Sequence, residues 1–133
     1  MGSVFPLFKT NELLNHHTFV AMCFGMQRPF VHPAVEDVTL ESVLYALADP
    51  VRLDIVKRLT SEGCGLNCSS AAPPDLPKST QSHHFQVLRE AGLIRSERRG
   101  VEVVNSLRCG EIERRFPGVI AAILKASDRA KKK

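Results

Sequence analysis

Two pairs of side chains have the chemistry to hold an ion or attack a substrate. They are His83-His84, within "LPKSTQSHHFQVLREAGLI", and Cys64 with Cys68, within "GCGLNCSS". Neighbouring residues on a helix point about 100° apart, whereas helical metal pairs sit at i, i+4. The two histidines therefore cannot share one ion well. His83 suits an open face and His84 a place beside the core. Cys64 and Cys68 do have the i, i+4 spacing. A helix starting at Leu66 would bring their thiolates together, a pairing suited to a soft metal or metalloid ion. No third ligand lies nearby, and Cys23 and Cys109 reach the pair only by folding or dimerisation. The plainer reading is that the four are small, buried or idle thiols. No Cys–His–acid set is readable and no Gly-rich phosphate loop precedes a helix, so catalysis has no residues to rest on. What remains is a group of hydrogen-bond donors, Lys78, Ser79, Thr80, Ser82, His83 and Gln86, followed by the pair Arg98-Arg99.

The charge distribution bears on what those donors meet. The chain has 133 residues and a net charge of +4. Residues 1–77 carry a net charge of −3 and residues 78–133 one of +7. A basic half points to a polyanion or an acidic partner, although a solvated surface ending in Lys131-Lys132-Lys133 accounts for part of it. The length predicts one domain with an extension. Four cysteines do not make a disulfide scaffold at this length, and no stretch approaches the ~20 apolar residues of a membrane helix. The apolar run Phe19–Met26 lacks a strong charged flank and a cleavage site. A cytoplasmic protein with reduced thiols is expected.

Periodicity places the donors. Residues 1–35 show no clear period and contain Pro6, Pro29 and Pro33; they are expected to be an extension, with Met22 and Met26 as alternative starts. Leu40, Val43, Leu44 and Leu47 then form one helical face. Asp49-Pro50 supplies an N-cap and a first-turn proline for a second helix. Its pattern places Val51, Ile55, Val56 and Leu59 inside and Arg52, Lys57 and Arg58 outside. "CSSAA" is a candidate short helix, and "PPDLP" ends it. From Lys78 a further helix turns Phe85, Leu88 and Ala91 to one side. Ser79, Ser82, His83, Gln86 and Glu90 lie on the other. Gln81 falls on the apolar side, one turn before Phe85. Gly92 fits a left-handed C-terminal cap with Leu93 packing back. Ile94 onward reads as a hairpin turning at Arg99-Gly100, with Val101 and Val103 in its second strand. Phe116, Val119, Ile120, Ile123 and Leu124 form a last helical face.

The predicted fold is mostly α with a small β-hairpin wing, a winged helix-turn-helix. The helix from Lys78 would enter a DNA major groove ~12 Å wide, with phosphate favoured at its N-terminus and Arg98-Arg99 at the wing. Candidate DNA-contacting residues are Lys78, Ser79, Thr80, Gln81, Ser82, His83, Gln86, Arg98 and Arg99. The domain is expected over residues 36–127, with a basic tail at 128–133.

"LYALADPVRLDIVKRL" and "PKSTQSHHFQVLREAGLIRSERRG", in this order and separated by 17 residues, resemble the ArsR-type winged-helix transcriptional repressors of bacteria. The resemblance covers about Leu40 to Leu107. It implies a homodimer joined through the first and last helices, here Leu40, Leu44, Phe116, Ile120, Ile123 and Leu124. It also implies repression by promoter occupancy, tuned in many relatives by a metal, metalloid or redox effector. Arsenite-sensing relatives cluster cysteines near the start of the third helix, where Cys64 and Cys68 fall, but their cluster is not reproduced residue for residue. The last helix has no His and only Asp128 late, so the zinc site some relatives carry there is not expected. Two alternatives stand beside the DNA-binding repressor: a thiol-based sensor of the same family, and a winged-helix module for protein interaction without DNA.

Overall fold

Asp49 and Pro50 show how local chemistry starts an element. The computed structural model describes residues 29–62 and 66–132, with residues 66–69 described by their backbone. The chain divides after Phe30, and Val31–Lys133 form one unit that carries every element described below. Within it, Asp49 Oδ1 accepts the N–H groups of Val51 at 2.8 Å and Arg52 at 3.1 Å. Pro50 takes the first helical position, and the helix runs Pro50–Glu62 (α2). Burial alone would raise the pKa of Asp49. The N–H groups of Arg52 and Val51, then the charge of Arg52 and the proximity of His84, hold it below the ordinary carboxylate value. Asp49→Ala is expected to cost about 1–2 kcal/mol near neutral pH. A carboxylate with a depressed folded pKa stabilises above its unfolded value, about 3.9, and loses that contribution as pH falls through the folded value. Urea melts of the two proteins should therefore converge as pH drops below about 4. An equal gap at both pH values would contradict the cap.

The elements follow in the predicted order, with additions. A 3-10 turn at Val35–Asp37 precedes α1 (Leu40–Leu47) and α2. A two-residue strand β1 (Leu66–Asn67) leads into α3 (Cys68–Ala71) and then α4 (Lys78–Glu90). The wing is β2 (Ile94–Arg99) and β3 (Glu102–Leu107). Helices α5 (Cys109–Arg115) and α6 (Val119–Lys131) complete the chain. The sheet is antiparallel with order β1-β3-β2, so β2 is an outer strand. The aliphatic core gathers Val43 and Leu47 of α1, Ile55, Val56 and Leu59 of α2, Phe85 and Leu88 of α4, with Leu93, Ile94, Ile112 and Ile120. The helix α6 lies along α2, where Lys57 Nζ meets Asp128 Oδ1 at 2.6 Å and Lys131 Nζ meets Asp54 Oδ1 at 2.8 Å.

Two expectations need correcting. Arg52 is not outside: it is 7% exposed. Its Nε donates to Ala46 O at 2.6 Å and its Nη2 to Tyr45 O at 3.1 Å, with the guanidinium 5.4 Å from the Tyr45 ring centre. The last carbonyls of a helix lack i+4 partners, and the buried guanidinium serves Ala46 O and adds a second donor to Tyr45 O, which also accepts the Ala48 N–H at 3.3 Å. Val101 is not in a strand either. It shares the turn with Gly100 and is fully exposed, because Arg99 pairs directly with Glu102. Gly100 has φ +65° while no non-Gly residue among those described has positive φ. A two-residue hairpin turn with positive φ only at its first position is type II′, which favours glycine there.

Candidate nucleic-acid interface

Helix α4 is held at both ends and on one side, which leaves one face to solvent. Its C-terminus closes as a Schellman motif. Gly92 N–H donates to Arg89 O at 3.0 Å, and Leu93 N–H donates to Leu88 O at 3.0 Å. Gly92 sits at φ +77°, and Leu93 is buried behind it. Phe85 and Leu88 anchor the helix in the core. At the other end Pro77 offers no side-chain cap. The first-turn N–H groups therefore have no capping side chain, an arrangement suited to anionic oxygen.

The open face carries the predicted set. Lys78, Ser79, Ser82, His83 and Gln86 are exposed; Thr80 and Gln81 are half-buried. Gln86 Nε2 donates to Glu90 Oε1 at 2.8 Å. Gln81, read as apolar-sided, has the partner that such a position demands: its Nε2 donates to Leu76 O at 2.8 Å, tying the turn before the helix to its first residues. The histidine pair divides as expected. His83 is exposed and His84 buried, with ring planes 55° apart. His84 Nδ1 lies 3.9 Å from Asp49 Oδ1 and has no hydrogen-bond partner among the described residues.

In the wing, Arg98 and Arg99 are both exposed, on successive positions of β2. Successive strand residues point to opposite faces, so the two guanidinium groups leave the ribbon on different sides. Arg99 Nη2 lies 3.6 Å from Glu97 Oε2, a loose surface pair. More arginine lies at the wing root. Arg95, Arg108 and Arg114 line a cavity of about 300 Å³ together with Glu111. There the Arg108 hydrogen bond holds the Glu111 pKa below the carboxylate norm, and the two residues form a close internal ion pair.

The thiol pair falls largely outside the described residues. Cys64 is not among them, nor is Cys23, and Cys68 is described only as the first backbone position of α3. Cys109 is exposed, at the start of α5. Although the residue is exposed, neighbouring atoms partly desolvate its sulfur; that and then the charge of Glu113 push the thiol pKa up, against a lowering backbone hydrogen bond, which disfavours the thiolate a soft ion needs. Among the described residues, no three His, Cys, Asp or Glu side chains are grouped as a metal site. No described helix is long and apolar enough to cross a membrane.

Sequence reading missed the segment before α1. His32 Nε2 accepts the Ser96 N–H at 2.9 Å, Pro33 O accepts from Arg108 Nη1 at 2.8 Å, and Val38 O accepts from Arg115 Nε at 2.7 Å. These bonds join residues more than 60 positions apart, and no local period announces them.

Comparison with known proteins agrees with this geometry. A helix-turn-helix domain model matches residues 47–97, which span α2 through most of β2. An uncharacterised HTH-type transcriptional regulator of Bacillus subtilis, YceK, is 30% identical over 89 residues, covering 66% of this chain and 89% of its own length. A second, MJ1325 of Methanocaldococcus jannaschii, is 33% identical over 58 residues, covering 44% of this chain and 65% of its own. The crystal structure of the ArsR family transcriptional regulator RHA00566 has the same fold. Its TM-score is 0.52 at 22% identity, over 71% of this chain and 97% of that one. The chain belongs to the HTH-type transcriptional regulators, DNA-binding proteins, and has the winged form of that fold.

Proposed function

We propose that this regulator is a cytoplasmic homodimer that represses transcription by occupying a promoter, with α4 in the major groove and the wing on the adjacent backbone. The observation that carries this reading is the exposed polar face of α4 at Lys78, Ser79, Ser82, His83 and Gln86, opposite the buried face of His84, Phe85 and Leu88. Lys78, Ser79 and Thr80 are the phosphate-side donors, with Ser82, His83 and Gln86 toward base edges. Gln81 stands at the edge of this surface, its amide N–H already used on Leu76. Arg98 and Arg99 contact the backbone on either side of the wing.

Support for a dimer comes from apolar surface that the monomer does not cover. Leu40 and Leu44 on α1 are 38% and 46% exposed, and Tyr45 beside them is also exposed. Phe116, Ile123 and Leu124 are half-buried, so each has surface left for a partner. Ile120 is already buried in its own chain and adds little to an interface. Repression, rather than activation, rests on the family resemblance.

The test is the salt dependence of duplex binding. Replacing Arg98 and Arg99 together by Ala should weaken binding to all sequences alike. For every phosphate that is no longer neutralised, the slope of log K against log salt falls by about one. An unchanged slope in a fluorescence titration would remove the wing from the interface.

A further inference from the structure

The segment before α1 ends on the open edge of the wing, and the contact is chemically selective. In the β2–β3 ladder the pair next to the turn is Arg99–Glu102, and Ser96 faces Asn105 three positions further along. Hydrogen-bonded and non-hydrogen-bonded pairs alternate along an antiparallel ladder. A two-residue turn is closed by a hydrogen-bonded pair, so Ser96–Asn105 is a non-hydrogen-bonded one. The Ser96 N–H therefore points away from β3, and His32 Nε2 accepts it at 2.9 Å. An imidazole accepts at Nε2 only when that nitrogen carries no proton, and an imidazolium has no acceptor at all.

The same serine is the hub of a polar chain. Its hydroxyl donates to Asn105 Oδ1 at 2.7 Å, and Arg89 Nη1, from α4, reaches Ser96 Oγ at 3.3 Å. Ser96 and Asn105 are both buried. One connected set of hydrogen bonds thus joins the segment before α1, both wing strands and the last turn of the recognition helix. The charged groups around His32 are Arg89 from α4, Arg95 and Glu97 from β2, and Arg108 from the link between β3 and α5. Three cations against one carboxylate make a further positive charge unwelcome.

We infer that His32 is a positioning residue for DNA binding: its neutral imidazole latches the wing edge in register with α4, and protonation releases the latch and lowers operator affinity. This rests on the wing touching DNA, as proposed above. The direction follows from the environment. Burial first, then Arg89, Arg95 and Arg108, lower the His32 pKa, with Glu97 opposing. The unfolded chain takes up the proton near pH 6.5, whereas the folded chain holds out to lower pH. The latch is therefore complete above about pH 6.5 and is lost as pH falls through the lower folded value.

The experiment uses the full chain, His32→Gln and His32→Ala. Gln keeps a neutral acceptor near the Nε2 position and does not titrate. Without DNA, the Ser96 amide resonance should move with the His32 imidazole between pH 7.5 and 5 and should stay still in His32→Gln. With a duplex operator at constant ionic strength, the parent should lose roughly two- to tenfold in affinity between pH 7.5 and the pH at which the Ser96 shift reaches its acid plateau, about one hydrogen bond's worth. His32→Gln should keep its affinity, and His32→Ala should bind at the acid level at both pH values. Exposed His83 is common to all three proteins, so it cancels from the comparison. A Ser96 amide blind to His32, or the same affinity profile in His32→Gln as in the parent, would overturn the inference. If Ser96 follows His32 while the Arg98/Arg99 variant keeps its salt slope, the wing contact is what fails, and the latch does not act on DNA.

Discussion

Gly92→Ala is expected to lower folding stability by about 2–5 kcal/mol, one of the largest effects of any small substitution in this chain. Two costs add. Gly92 has φ +77°, where a side chain costs about 1–2 kcal/mol. A Cβ built there would also run into Val38 Cγ2, in the segment that precedes α1. Overpacking of this kind costs about 1–3 kcal/mol when the neighbour cannot withdraw. Val38 is buried and its carbonyl is held by Arg115, so withdrawal is not free. Urea denaturation measures the loss. Adding Val38→Ala should recover the steric part and leave the left-handed cost, a non-additivity expected of residues in contact. Wild-type stability in Gly92→Ala would mean that the helix ends differently from the Schellman geometry.

Leu44→Glu should have a different signature, little change in the fold and a large loss of operator binding. Leu44 is half-exposed in the monomer, so the charge can stay in water there. Surface changes of this kind are usually within about 0.5 kcal/mol. In a dimer joined through α1, the same carboxylate would be buried without a partner. Two recognition helices tethered in one dimer gain roughly 100-fold or more over a single helix, and that gain would vanish. Sedimentation should show a monomer, and anisotropy a correspondingly weaker complex. A variant that still sediments as a dimer would place the interface elsewhere. Ile120 is a poorer site for this test, because its burial in its own chain would turn a charge into an unfolding event.

The parts of this molecule that sequence made legible are those encoded by neighbours. The inward residues of α2 and α4 follow the helical period, Asp49-Pro50 starts α2, Gly92 ends α4, and Gly100 turns the wing. Each depends on residues within a turn or two. The parts that were hidden depend on distant partners. Arg52 looks like a surface cation until the carbonyls of Ala46 and Tyr45 fold over it. Helix α5 buries only Ile112, so its sequence carries no apolar stripe. Strand β1 is two residues long and exists because β3 has an edge for it. On the open face of α4, exposure followed from the period alone, but the tie from Gln81 to Leu76 depends on how the preceding turn closes.

The most direct test of the central claim is an amide chemical-shift map of the full chain titrated with duplex DNA at low salt. If α4 and the wing form the interface, the largest changes fall on Lys78 to Gln86 and on Arg98 to Glu102, and they reverse as salt is raised, as phosphate-driven binding requires. Changes concentrated on α1 and α6, with the amides of α4 unmoved, would contradict the account and point to a winged helix that docks through another surface.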